Sequence, residues 1–307
     1  MRALVADRLA PTLPSVLGLL IHRRPGLADV RTMPRIERQV QQARVDSDWL
    51  RSYRACTGLP LRPEDALPPL ALQIAAAPLH LAIMADRAFP FRPLGIVHQS
   101  QHIQQWDEID AAASIDLRAV TTEAREERRG ISFGLVTEAR VSQVVVWRSE
   151  VRVLSISRKA SPGGHNGPDA AEFKAQQATT SAFVDVPESM GRTYARLSGD
   201  PNPVHVHAVL ARLFGFPRAI AHGTWTLARA LVASRLPVVP PYMLEARFRR
   251  PVELPSRMLV TAYAGSDKGE FRLRVADSHS ESSRLVARLS LAGASNLVAR
   301  PQFGPDR

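Results

Sequence analysis

An aspartate and a histidine lie five residues apart in residues 194–205, which read Tyr-Ala-Arg-Leu-Ser-Gly-Asp-Pro-Asn-Pro-Val-His. Histidine titrates near neutral pH, and a neighbouring carboxylate can orient or polarise its ring. Asp200 and His205 are therefore the minimum set of groups for moving protons. Each residue alone also has a structural interpretation, in which Asp200 caps the following turn and His205 is a satisfied core histidine.

The residues around this pair predict a rigid frame for it. Met190, Tyr194 and Leu197 recur at helical spacing, whereas Gly199 and Pro203 do not allow the helix to continue. We therefore expect a helix that ends in a stiff loop, and this loop presents the polar side chains.

Elsewhere the chain alternates between apolar helices and runs of strands. Residues 46–58 and 70–88 are typical of helices, with Pro78 near a break or a helix start, and 187–197, 208–214 and 222–232 are three more. Periodicity and β-branched content predict strands that follow one another through short breaks and therefore pair antiparallel. These predicted strands are 94–105, 113–122, 130–140, 142–156, 182–186, 242–250, 258–264, 270–277 and 284–292.

Residues 53–60 repeat the frame of residues 194–201. Both segments have Tyr, two residues, an apolar residue, a hydroxyl residue and Gly, but Leu59 stands where the second segment has Asp200. The first segment also lacks the Asn-Pro-x-His sequel. We interpret this as an internal duplication of an α+β unit, in which a helix lies against an antiparallel sheet and only the second copy has the polar pair.

The predicted domain organisation follows from this duplication. Residues 1–45 are an N-terminal extension, an extended arm or a short polar helix, to which we assign no function. Residues 46–156 are the first copy, and 157–170 are a Gly- and Pro-rich linker that contains His165. Residues 171–307 are the second copy.

The composition is that of a globular protein with an unusual excess of arginine. The 307 residues have a net charge of +11, and lysine occurs only at three positions. An anionic partner would suit this charge, such as a phosphate-bearing substrate or an acidic carrier protein, although arginine-rich composition alone is also a sufficient explanation. No basic run with interleaved aromatics or nucleic-acid-binding motif occurs, so we expect no nucleic-acid partner.

The remaining features argue against several classes of site. The lone Cys56 rules out an internal disulfide and suits a reducing compartment, and we expect a cytoplasmic protein with no membrane span. His98 and His102, four residues apart in a predicted strand, have no third ligand, so we predict neither a metal nor a cofactor.

Residues 194–205, followed by Ile220-Ala-His-Gly-Thr224, closely resemble the hydratase motif of the MaoC-like dehydratases, the (R)-specific enoyl-CoA hydratases of the hot-dog fold. The resemblance covers about residues 180–295. It implies a double hot-dog, with two antiparallel sheets that each wrap a long apolar helix. The first copy would be a degenerate hot-dog whose helix, residues 70–88, forms a wall of the acyl tunnel.

The resemblance also implies roles for individual residues. Asp200 and His205 match the catalytic pair, which activates one water for addition to a 2-enoyl thioester or removes it in reverse. Gly223 matches the backbone donor that stabilises negative charge on the thioester oxygen. We expect His222, beside it, to be structural.

Three residues are weaker candidates for substrate binding. Asn202 braces the loop or the water, and Ser198 hydrogen-bonds the backbone at the helix end. Arg249, at the end of a strand, would meet phosphates of CoA or an acidic carrier, or would simply face solvent.

The leading hypothesis is a (3R)-hydroxyacyl-thioester dehydratase that acts on an acyl-CoA or acyl-carrier-protein thioester, with a homodimer as a further expectation. One alternative is a non-catalytic subunit that binds an acyl thioester or a carrier protein. Another is a hot-dog thioesterase, which the order Asp-Pro-Asn-Pro-x-His disfavours.

Overall fold

The computed structural model describes residues 8–9, 24, 26–59, 66–93, 96–156, 173, 177–200, 202–278, 282–292 and 300. The predicted linker, 157–170 with His165, lies outside these residues. None of the described helices is long and apolar enough to span a membrane.

Among the described residues, the N-terminal half contains a two-residue first strand, five longer strands, three α-helices and a short 3-10 helix at Val30–Thr32. They are β1 (Arg8–Leu9), β2 (Glu37–Val45), α1 (Ser47–Thr57), α2 (Ala71–Ala75), α3 (Ala77–Ala85), β3 (Ile96–Gln105), β4 (Ile115–Glu127), β5 (Gly130–Val141) and β6 (Val144–Ile156).

In the part of the C-terminal half that the structure describes there are five strands and four helices. They are β7 (Ala178–Val186), α4 (Met190–Ser198), α5 (Pro203–Val206), α6 (Ala208–Leu213), α7 (Gly223–Ser234), β8 (Tyr242–Phe248), β9 (Ser256–Ala264), β10 (Glu270–Asp277) and β11 (Ser283–Leu291).

All strands belong to one continuous sheet in the order β1-β2-β4-β5-β6-β3-β8-β11-β10-β9-β7. Pairing is antiparallel except between β1 and β2. The halves meet where β3 pairs with β8, from Ser100 opposite Arg247 to Gln105 opposite Tyr242. The two expected sheets are therefore joined edge to edge, which removes two exposed strand edges.

The strand order is the same in both halves. Apart from the two-residue β1, which flanks β2, the first half read towards the seam has β2-β4-β5-β6-β3 and the second has β7-β9-β10-β11-β8. This equivalence is what an internal duplication predicts. It also makes β2, which lies within the predicted N-terminal extension, the counterpart of β7.

The two helices that contain most of the repeated segments, α1 and α4, are bounded by residues whose side chains or backbone favour a helix end. The Asp46 side chain caps α1 by accepting from the backbone N–H groups of Asp48 and Trp49. Gly58 ends α1 and Gly199 ends α4, and both are left-handed, with φ of 78° and 66°. Such a conformation suits glycine because it has no Cβ.

The predicted helix 70–88 is divided into α2 and α3 at Ala76. Pro78 lies in the first turn of α3, where its missing N–H costs no intrahelical hydrogen bond. Although these helices are apolar, they carry buried polar contacts to the sheet, of which two are the shortest. Gln73 Oε1 accepts from Ser149 Oγ at 2.6 Å, and His80 Nε2 lies 2.7 Å from Thr137 Oγ1.

Candidate active site

The loop after α4 is fixed by a series of short-range hydrogen bonds. The Ser198 hydroxyl donates to the carbonyl of Tyr194 at 2.8 Å, and its oxygen lies 3.3 Å from the N–H of Asp200. Asp200 Oδ1 accepts from the N–H of Asn202 at 3.1 Å, and Asn202 Oδ1 caps α5 at Val204. The aspartate therefore uses one carboxylate oxygen for the turn, and its other oxygen lies near the histidines.

His205 has an oriented ring. Its Nδ1 lies 2.9 Å from the carbonyl oxygen of Ile220, which can only accept, so Nδ1 is the protonated nitrogen. The lone pair of the neutral ring is then on Nε2, which lies 4.0 Å from Asp200 Oδ2. This separation is too long for a hydrogen bond, but one oxygen atom could lie about 2.8 Å from each.

The two groups differ in exposure. The Asp200 side chain is 51% exposed, whereas that of His205 is 12% exposed. The more exposed Asp200 carboxylate and the more buried His205 imidazole can therefore contact the same small molecule from the solvent side.

His222 is the second histidine that the fold brings to this place. Its ring stacks on that of His205 with centroids 3.7 Å apart, and its Nε2–H donates to the backbone carbonyl of Asp200 at 3.3 Å. Burial, and then the charge of His205, lowers the pKa of His222 to about 3. A neutral ring with this contact holds the position of His205 and Asp200 rather than moving protons at neutral pH.

Gly223 is the first residue of α7, a 12-residue helix, so its backbone N–H lies at the helix N-terminus. The first residues of a helix have no intrahelical acceptor, and the helix dipole favours negative charge there. Phe248 packs on this glycine so closely that an added Cβ would lie 2.9 Å from its ring carbons. The next residue, Thr224, lies with its Oγ1 3.2 Å from the buried hydroxyl of Tyr194.

The structure does not bring all predicted site residues into one cluster. Ser198 is buried, and its hydrogen bonds with Tyr194 and Asp200 both involve the backbone of those residues. Arg249 follows β8, which ends at Phe248 rather than at the predicted residue 250, and its N–H donates to the carbonyl of Arg284 at 2.9 Å. Asn202, by contrast, lies in the loop between the two candidate catalytic residues.

Among the described residues, one cluster is close enough to be considered as a metal site. It consists of Asp200, His205 and His222, whose possible ligand atoms all lie within 4.8 Å of one another. The donor set fits an ion poorly. His222 Nε2 carries the proton that is donated to the Asp200 carbonyl, so its lone pair is on the other nitrogen. Asp200 Oδ1 already accepts a hydrogen bond from the N–H of Asn202. The atoms left to coordinate a metal ion are therefore Asp200 Oδ2 and His205 Nε2.

The sequence interpretation did not find a histidine of the N-terminal half that packs on Phe248, the residue that contacts Gly223. His98, from the N-terminal half, lies with its ring centroid 4.4 Å from that of Phe248. Its position depends on an irregularity in strand pairing, which the sequence pattern did not indicate.

Comparison with known proteins shows which family the sequence matches. The family described as MaoC like domain matches residues 169–282. A 3-hydroxyacyl-thioester dehydratase X of Mycobacterium tuberculosis is 30% identical over 270 residues, which cover 86% of this chain and 94% of that protein.

Solved structures show the same likeness. HtdX of Mycobacterium tuberculosis has a TM-score of 0.68 at 26% identity and covers 83% of this chain and 99% of its own. A MaoC-like dehydratase from Phytophthora capsici has a TM-score of 0.67 at 13% identity, covers 86% and 98% of the two chains, and shows the shared fold. The chain belongs to the MaoC-like dehydratase family and has its double hot-dog fold.

Proposed function

We propose that the protein is a (3R)-hydroxyacyl-thioester dehydratase, equivalently an (R)-specific 2-enoyl-thioester hydratase. The observation that carries the proposal is the 4.0 Å separation of His205 Nε2 from Asp200 Oδ2, beside a helix that begins at Gly223. The relative named 3-hydroxyacyl-thioester dehydratase supports the same reaction class.

In the hydration direction, one water lies between Asp200 and His205. His205 Nε2 has the lone pair that can take a proton from this water, because Nδ1 is committed to the Ile220 carbonyl. As the water oxygen bonds to C3, the π bond between C2 and C3 breaks, and C2 receives the proton that the pair has taken from the water. The net addition is one water, and dehydration is the reverse.

Negative charge develops on the thioester oxygen during this addition. A donor that is already in place stabilises such charge without reorganisation, and this is the role that we propose for the Gly223 N–H. Its location at the N-terminus of α7 adds the helix dipole to the hydrogen bond.

We propose supporting roles for the other three residues. Ser198 and Asn202 brace the loop, which is supported by their hydrogen bonds on both sides of Asp200. Arg249 would contact phosphates of a CoA substrate or acidic groups of a carrier protein, for which the net charge of +11 is the support.

We also propose the division into an extension (1–45), a degenerate hot-dog (46–156), a linker (157–170) and a catalytic hot-dog (171–307), with β2 (Glu37–Val45) added to the first hot-dog. In this scheme the helices α2 and α3 form a wall of the acyl tunnel. We propose a cytoplasmic location, and its support is that Cys56, the one cysteine of the sequence, is a free thiol, which suits a reducing compartment. A homodimer has a candidate contact surface in the exposed apolar side chains of α6, of which Leu213 is 77% exposed.

The test monitors the loss of the enoyl absorbance of crotonyl-CoA and of longer 2-enoyl-CoAs. We expect hydration by the wild type and a loss of about 10²–10⁴-fold in kcat for Asp200→Asn and for His205→Ala. Leu59→Ala, at the position equivalent to Asp200 in the first half, serves as the matched control and should retain wild-type kcat.

Three outcomes would contradict the proposal. Equal rates in wild type, Asp200→Asn and His205→Ala would show that the pair does not act in the reaction. Release of free CoA without hydration would indicate a thioesterase. Binding of the enoyl-CoA with neither reaction would indicate the non-catalytic subunit.

A further inference from the structure

The strand β3 contributes His98 to the inner face of the sheet because of a β-bulge. His98 pairs with Val153 of β6, whereas Ser100 pairs with the adjacent Arg152, so Gln99 is an extra residue. Side chains alternate between faces along a regular strand, and His98 and Gln101 would lie on opposite faces. The extra residue places both on the face of the buried Val151 and Val153.

The ring of His98 is held in one orientation. Its Nε2–H donates to the carbonyl of Ser100, across the bulge, at 3.0 Å. Burial lowers the pKa of His98 to about 4, an effect that His80 adds to and that the Ser100 bond and the charge of Asp200 oppose. The ring is therefore neutral at neutral pH and contributes its shape and its hydrogen bond rather than a charge.

His98 contacts Phe248 across the seam between the two halves. The centroids of the two rings are 4.4 Å apart, and their planes are tilted by 42°. Phe248 is the last residue of β8, next to Arg247, which pairs with Ser100. The contact thus joins the bulge of the N-terminal half to the end of a strand in the C-terminal half.

Phe248 in turn packs against the start of α7. A Cβ built on Gly223 would lie 2.9 Å from both Cδ1 and Cε1 of Phe248, so the ring occupies the space beside the glycine Cα. Close-packed side chains transmit displacements because they leave few voids to absorb them. Movement of Phe248 would therefore change the position of the Gly223 N–H.

We propose that His98 is a positioning residue for the oxyanion donor, which it holds in place through Phe248. The inference rests on the proposed function of Gly223. It assigns a part in the reaction to the half that lacks the catalytic pair. The Gly223 N–H interacts most strongly with charge that develops in the transition state, so its displacement lowers kcat more than it raises KM.

The kinetic test compares His98→Ala with His102→Ala. His102 is the control because it lies four residues further along β3, beyond the bulge, between Glu150 and Glu245 of the neighbouring strands. We expect His98→Ala to lower kcat by about 10-fold, a fraction of the 10²–10³-fold effect of removing a whole oxyanion donor. Its KM should stay within about threefold of wild type. His98→Phe, which keeps a flat ring against Phe248, should recover most of the loss.

A double-mutant cycle tests the route through Phe248. If both residues act on Gly223 in series, His98→Ala should add little to the loss in Phe248→Ala, and the two effects should not be additive. Additive effects would overturn the proposed route. A raised KM with unchanged kcat in His98→Ala would assign the residue to substrate binding and also overturn the proposal.

A second readout does not depend on activity. In protein labelled with ¹⁵N-glycine, the Gly223 amide signal is identified by its loss in Gly223→Ala. We expect this signal to shift in His98→Ala and to stay in place in His102→Ala. An unshifted signal in folded His98→Ala would refute the positioning role. Absence of hydratase activity in the wild type would instead refute the proposed function and leave the result on Gly223 intact.

Discussion

The two halves have the same framework, but they differ in the residues that come directly after it. In each, a helix carries a fully buried tyrosine, Tyr53 or Tyr194, and ends at a left-handed glycine. In each, a hydroxyl one residue before that glycine donates back to the tyrosine carbonyl at 2.8 Å, from Thr57 or Ser198. The shared parts are those that packing and backbone geometry require. The residues that differ are therefore available for chemistry without loss of the fold.

The framework also connects the halves. The indole N–H of Trp49, on α1, donates to the carbonyl of Leu197 at the end of α4 at 2.9 Å. The indole N–H of Trp225, on α7, donates to the carbonyl of Cys56 at the end of α1 at 3.0 Å. Cys56 and Leu197 occupy equivalent places in the two repeats. Each half thus satisfies a helix-terminal carbonyl of the other.

The two halves should differ most in how substitution affects kcat at the position three residues before each tyrosine. Leu50 and Gly191 are equivalent there. An added Cβ on Gly191 would lie 1.8 Å from the carbonyl oxygen of His205. Gly191→Ala must therefore displace the segment that carries the histidine. We expect a fall in kcat of about 100-fold, as for a displacement of about 1 Å at a catalytic group. Steady-state kinetics on crotonyl-CoA measures it.

Leu50→Ala is the matched variant in the other half. Leu50 is buried, so the loss should be in stability, about 2–4 kcal/mol in the free energy of unfolding, with kcat within a few-fold of wild type. Wild-type kcat in Gly191→Ala would show that the segment around His205 can move without consequence.

Acid should destabilise the protein through three buried histidines, His80 and His98 in the first half and His222 in the second. Burial lowers the pKa of His80 from 6.5 to about 4, so between these values the unfolded chain binds a proton that the folded chain does not. The stability is complete above pH 6.5 and falls as the pH drops towards 4. Each pH unit in this range costs about 1.4 kcal/mol per such histidine.

Urea unfolding of wild type and His80→Gln between pH 7 and 4.5 measures this effect. Glutamine can keep a hydrogen bond to Thr137 but does not titrate, so the variant should lose less stability on acidification. His222, with a pKa of about 3, should account for part of the loss that remains. Parallel pH profiles for the two proteins would contradict the assignment to His80.

The smallest changes in stability and in kcat should come from removing the two indole hydrogen bonds, and these changes should differ between the two. Trp49→Phe and Trp225→Phe each remove one hydrogen bond to a carbonyl and some buried area, and we expect each to lower the free energy of unfolding by about 1–2 kcal/mol. Only the Trp49 contact reaches the segment that leads to Asp200. Trp49→Phe should therefore also lower kcat a few-fold, and Trp225→Phe should not.

Chemical denaturation and enzyme kinetics on both variants test this pair. Equal kinetic effects would show that the contact at Leu197 has no special influence on the active site. Unchanged stability in both would show that solvent replaces the lost hydrogen bonds.

Much of the fold could be predicted because its signals are local. The helices predicted to end at Gly58 and Gly199 do end there, because glycine readily adopts the left-handed conformation. Pro78 was correctly expected at a break or helix start, because proline fixes its own φ and has no N–H. The strand 37–45 was not distinguished from a polar helix, because a strand with many polar residues has little periodic pattern.

Some features of the candidate site depended on distant parts of the chain. His222 and His205 are 17 residues apart, and nothing in their spacing predicts stacked rings 3.7 Å apart. His98 was considered only as a metal ligand and set aside for lack of a third one, and the residue pattern of β3 gives no indication of the bulge that places it.

The sequence by itself determined the residue types at the candidate site and the rigid frame that presents Asp200 and His205, since glycine, proline and capping residues act within a few residues of their own position. Only the tertiary structure decided which nitrogen of His205 is free, how His222 packs against it, and that β3 and β8 join the halves beside Gly223. Those features depend on contacts between segments far apart in the chain. Such contacts are fixed by packing and hydrogen bonding of the whole sheet rather than by local preference.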